Sequence, residues 1–190
     1  MWFTNFSAKS RYNKRIKNPT IVKTVYHELG HVYLALLFDS YIKLSKCFIG
    51  KDIISAMTSQ KNWNGGVSYD IDLKAVIKSI DLSDRMACVT FGGMCSQNLH
   101  FSKFSEFKQK IEFFLSSPDQ NMNNEGGIQD FETAKPILIR NHNSLNKIYI
   151  DYLREILYFN FKYLSDKNVW QSIELFANIL LSKKYGIGSR

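Results

Sequence analysis

Apolar residues recur every three to four positions between Pro19 and Phe38, at Ile21, Val22, Val25, Leu29, Val32, Leu36 and Leu37. That period predicts a helix, and an apolar stripe this wide predicts one central to the core. Asn18 reads as its N-cap and Pro19 as its first helical residue. The period shortens over Tyr41–Ile49, where Ile42, Leu44 and Phe48 alternate with polar or smaller residues, which predicts a strand. Residues 50–66 read as a loop ending in Asn64-Gly65-Gly66, and Val67-Ser68-Tyr69 as a short second strand. The helical period returns from about Leu73 and is clearest over Asp81–His100. Gly92-Gly93 in its middle is costly for a helix and admits two explanations, close approach of another helix or a break. Lys103–Leu115 reads as an amphipathic helix, and the polar, turn-rich stretch Ser116–Gly127 as a loop. A helix then starts near Ile128 and is ended or bent by Pro136. Ser144–Ser165 and Asn168–Lys183 read as two long terminal helices. The predicted fold class is mainly α, a helical domain built around the first helix, with a small antiparallel β element. Residues 18–184 read as a single domain between a basic flexible arm, 1–17, and a flexible tail, 185–190.

The first helix carries His27-Glu28-Leu29-Gly30-His31, an H-E-x-x-H pentapeptide. Residues four apart share a helix face. Two imidazoles there can hold one Zn²⁺, and the carboxylate of Glu28 can activate water as general base, which is the chemistry of a metallopeptidase. The neighbours Val25, Tyr26, Leu29, Gly30, Val32 and Tyr33 are uncharged, a frame that keeps such a site dry. A catalytic zinc takes three protein ligands and leaves one position open. His100, Glu125, Asp130, Glu132 and His142 are candidates for the third, and spacing does not choose among them. Asp130, at a helix start just after Gly126-Gly127, is well placed to point inward, with an N-cap role as the competing explanation.

Tyr26-His27-Glu28-Leu29-Gly30-His31 and the apolar stretch after it resemble the zinc helix of FtsH-type proteases, whose peptidase domain carries a Tyr-His-Glu-Ala-Gly-His-type sequence. The family's next strand and its Gly-Val-Thr-like segment are matched by Tyr41–Ile49 and Gly66-Val67-Ser68. Its Leu-Gly-Gly-Arg-Ala-Ala-Glu-Glu-like helix is matched loosely by Phe91-Gly92-Gly93-Met94-Cys95-Ser96-Gln97. Its Gly-Ala-Ser-Asn-Asp-Leu-x-x-Ala-Thr-like segment, whose aspartate is the third zinc ligand, is matched by Gly127-Ile128-Gln129-Asp130-Phe131-Glu132-Thr133-Ala134. The resemblance spans roughly residues 20–165 and implies a zinc metalloendopeptidase with His27, His31 and Asp130 on the metal and Glu28 as base. Gly66, Val67 and Ser68 would lie on a strand edge that pairs with an extended peptide. Met94, Gln97 and Asn98 replace the family's Arg and paired Glu, which removes the support for its inter-subunit salt bridges and hexameric ring.

Composition narrows the field. The chain has 190 residues, 45% hydrophobic, which suits a single folded domain and excludes a disordered one. No apolar run reaches the ~18 residues that cross a bilayer, which excludes an intramembrane peptidase. No G-x-x-x-x-G-K-[ST] loop is present, so unfolding by ATP hydrolysis would need a separate ATPase partner. Expected substrates are therefore flexible peptides and unfolded chains; a homo-oligomer is compatible with the sequence. The N-terminus has no secretory pattern, and Cys47, Cys88 and Cys95 are an odd number without metal-ligand spacing, which points to a reducing, cytoplasmic setting. The net charge of +8 owes much to Lys9, Arg11, Lys14, Arg15 and Lys17. With no base-reading motif beside them, a solvated arm is expected rather than a nucleic-acid site. Two rival readings share the motif: a catalytically inactive zinc-binding or structural interaction module, and a regulator-cleaving peptidase of the ImmA/IrrE type, whose third ligand is expected closer to the histidine pair.

Overall fold

Helix α1, Pro19–Leu37, buries Ile21, Val22, Val25, Leu29 and Leu34 at the centre of a computed structural model that describes residues 19–51, 63–101, 107–124 and 127–185. The expected arm, the Asn18 cap and the tail beyond Tyr185 lie outside the described residues. Strands β1 (Lys43–Lys51) and β2 (Trp63–Asp70) follow α1. Helices α2 (Leu73–Lys78), α3 (Ile80–Phe101), α4 (Phe107–Ser116) and α5 (Pro118–Asn124) come next. The chain ends with α6 (Ile128–Ser144), α7 (Tyr149–Leu164) and α8 (Lys167–Tyr185). The fold is mainly helical with one two-stranded antiparallel sheet.

Helix α3 is unbroken through Gly92-Gly93, and the reason is close approach. A Cβ on Gly92 would stand 2.6 Å from the Gly30 carbonyl oxygen, and one on Gly30 would lie 2.6 Å from the Ser96 Cβ. Only glycine lets the backbones of α1 and α3 meet this way. The sheet packs on α1, pairing Cys47 with Val67 and Ile49 with Gly65. β2 has no second strand on its other edge among the described residues. Asn141 on α6 donates to Ser83 Oγ at 2.7 Å and to Tyr152 Oη at 3.1 Å, tying α3, α6 and α7 together by buried polar contacts.

Four expectations are corrected. Asn64-Gly65-Gly66 belongs to β2, not to a loop, because it pairs with Gly50, Ile49 and Phe48. The stretch 116–127 is not all loop: Pro118–Asn124 is a helix, with Pro118 at its first position and the Asn121 amide donating to the Ser117 carbonyl at 2.9 Å. Pro136 does not end α6, which continues to Ser144; Pro136 and Glu132, whose carbonyl it leaves unpaired, both lie on the exposed face. Asp130 is not an N-cap, since the cap position is Gly127, which makes no side-chain cap bond. No helix among the described residues is long and apolar enough to cross a membrane.

Candidate metal centre

His27 and His31 lie one helical turn apart on α1, with ring centroids 4.8 Å apart. Asp130, in the first turn of α6, faces both: its Oδ2 lies 3.2 Å from His27 Nε2 and 3.6 Å from His31 Nε2. Phe131, buried beside Asp130 and 6.3 Å from the Phe91 ring, anchors this start of α6 against α3. One ligand atom from each of the three residues falls within 4.8 Å of the others, so the group can hold a metal ion.

Two features fit an ion better than a plain polar contact. Asp130 Oδ2 is buried and faces both imidazole Nε2 atoms without a well-formed hydrogen bond to either, an arrangement that costs free energy unless a positive partner is supplied. Gly93 of α3 forms the floor: a Cβ there would stand 2.6 Å from His27 Nε2 and crowd His31 Nε2 as well. His31 donates from Nδ1 to the Val89 carbonyl at 2.8 Å, which leaves its Nε2 lone pair facing the group. The Gln97 side chain hydrogen-bonds His27.

Charge is arranged to match. Burial works to lower the His27 pKa, but the Asp130 carboxylate close beside the ring, with the charge of Glu28, raises it overall. Burial lowers the His31 pKa and holds that ring neutral, the form that ligates. Glu28 is 5% exposed, and its burial, helped by Asp130 and opposed by His27, pushes its pKa up to about 7.

A cleft of about 280 Å³ opens over these groups, walled by β2, α3 and the start of α6. Gly65 of β2 sits directly against Glu28; a Cβ there would stand 2.6 Å from the Glu28 carboxyl carbon. Gly66 and Val67 line the cleft, whereas Ser68 is exposed and does not.

Comparison of the chain with protein-family models, curated proteins and solved structures finds no match.

The other candidate ligands lie elsewhere. His100 stacks on Tyr26 with centroids 3.7 Å apart. His142 is oriented by the Lys147 carbonyl at 3.2 Å, and exposed Glu132 approaches Lys135 at 4.0 Å. Glu125 lies outside the described residues. The sequence reading missed Met86, Thr90, Gln97, Tyr69 and Thr133. A signal existed for part of this set: Met86, Thr90, Gly93 and Gln97 are spaced by four, three and four, one continuous helix face. The Val89 carbonyl had no sequence signal, because every residue carries one.

Proposed function

We propose that this chain is a zinc-dependent metalloendopeptidase of the FtsH-like kind. The observation that carries the reading is the meeting of His27, His31 and Asp130 beside a buried glutamate in an open cleft. Two imidazoles and a carboxylate with space left over are the donor set of a catalytic zinc. The same set suits ferrous iron, and the Glu28 carboxylate favours hydrolysis, because a base whose pKa lies near neutrality can both take and return a proton. Asp130 beside the pair supports the FtsH-like reading over the ImmA/IrrE-type one.

When bound, zinc would polarise the scissile carbonyl and acidify water. Glu28 would take the proton from the attacking water and pass it to the leaving amine. Only glycine at position 65 avoids a collision with that carboxylate, since a Cβ there would stand 2.6 Å from the Glu28 carboxyl carbon. Val89 and Gln97 hold the imidazoles in orientation. An extended peptide would add to the edge of β2 that pairs with no described strand, along Gly66, Val67 and Ser68. Flexible peptides and unfolded chains suit such a cleft, with folded substrates needing a separate ATPase. The three unpaired cysteines fit a reducing, cytoplasmic setting.

The test is cleavage of a permanently unfolded, casein-type substrate. Zinc-loaded protein should degrade it, a chelator should stop the reaction, and restored zinc should revive it. Full zinc occupancy with no turnover on any unfolded substrate would instead support the inactive binding module.

A further inference from the structure

Glu28 moves protons in this scheme, but the carbonyl oxygen of the substrate also gathers negative charge and needs a donor. Apart from the two histidines, the neutral side-chain donors that line the cleft are Thr90, Thr133, Gln129 and Tyr69. Thr90 Oγ1 donates to the Met86 carbonyl at 2.8 Å, and Thr133 Oγ1 to the Gln129 carbonyl at 2.8 Å. Both hydroxyls are committed to their own helices. Gln129 is exposed, a long side chain on the helix's outer first turn. Tyr69 differs from all three. It is half-buried, packs against the core, lines the cleft, and donates its hydroxyl to no described residue.

Its direction follows from the strand. Alternate residues of a β-strand share a face. Gly65 lies against the Glu28 carboxyl, so that face of β2 looks onto the site, and Val67 and Tyr69 continue it. The phenol therefore projects from the face of β2 that Glu28 abuts and lines the same cleft as the metal group. Resting on the peptidase reading, we propose that the Tyr69 hydroxyl is the hydrogen-bond donor to the scissile carbonyl oxygen as charge develops on it. The phenol keeps its proton throughout, and Glu28 carries out the proton transfers. Burial, reinforced by the negative charges of Glu28 and Asp130, raises the Tyr69 pKa and keeps it a donor. A donor aimed at a charge that exists only in the transition state lowers the barrier without tightening substrate binding.

The experiment compares full-length, zinc-loaded wild type with Tyr69→Phe on one peptide. The expected result is a kcat reduced roughly 100-fold, with KM, zinc content and thermal midpoint unchanged. A phosphinic peptide that mimics the tetrahedral state should lose affinity by the same factor, while a cleaved product peptide should not. An undiminished kcat, or a change in KM alone, would overturn the assignment and leave the peptidase reading standing. Absence of cleavage by the wild type would overturn both.

Discussion

Replacing Glu28 with Gln should abolish turnover while leaving the metal in place. Gln has the size of Glu and fits the same buried space beside Gly65, but it cannot accept and return a proton. General-base catalysis contributes about 10²–10⁴-fold, so kcat should fall by roughly 10³-fold with zinc stoichiometry preserved. The double readout matters, because a variant that lost zinc would report only a damaged site. Steady-state kinetics and elemental analysis on one preparation check it. Unchanged cleavage by the zinc-loaded variant would mean that Glu28 is not the base.

Gly30→Ala should be the most destabilising single-methyl change in α1. Its Cβ would stand 2.6 Å from the Gly92 carbonyl carbon and from the Ser96 Cβ, and closer still to the Gly92 oxygen. Backbone cannot swing aside as a side chain can, so α1 and α3 must separate. Overpacking costs about 1–3 kcal/mol where side chains yield, and backbone contact belongs at or above the top of that range. The better helix propensity of Ala returns only about 1 kcal/mol. Because α1 carries His27, Glu28 and His31 while α3 supplies Gly93 and the Val89 carbonyl, the same separation should loosen the metal group. Gly50→Ala is the control: its Cβ would meet nothing within 4 Å, and the change should stay within about 0.5 kcal/mol. Chemical denaturation midpoints of the two variants give the comparison.

What the sequence disclosed follows from how local each signal is. α1 and α3 were readable because a sustained apolar period is written into the segment itself. The pentapeptide was readable because a helix fixes the spacing of His27 and His31. Gly65 and Gly66 were not readable as strand, since they are held by pairing with Ile49 and Phe48, a contact between separate segments. Pro118–Asn124 looked like a loop because its residues are polar and turn-forming, although a proline is well tolerated at a helix start. Gly92-Gly93 signalled something unusual without saying what, since a break and a close approach both favour glycine. Asp130 lay within a set of five candidates that spacing left open, and only the packing of α6 on α3 brings it beside the two imidazoles. The place of Tyr69 on the cleft was not readable, because it depends on which face of β2 looks onto Glu28.

The central claim is that one zinc ion sits between His27, His31 and Asp130. Zinc-edge X-ray absorption of the metal-loaded protein tests it directly. The expected shell has two imidazole nitrogens at about 2.0–2.1 Å and carboxylate or water oxygen at about 2.0–2.2 Å, and Asp130→Ala should lower zinc affinity and alter that shell. Sulfur in the shell, fewer than two imidazoles, or a spectrum and affinity indifferent to Asp130→Ala would contradict it.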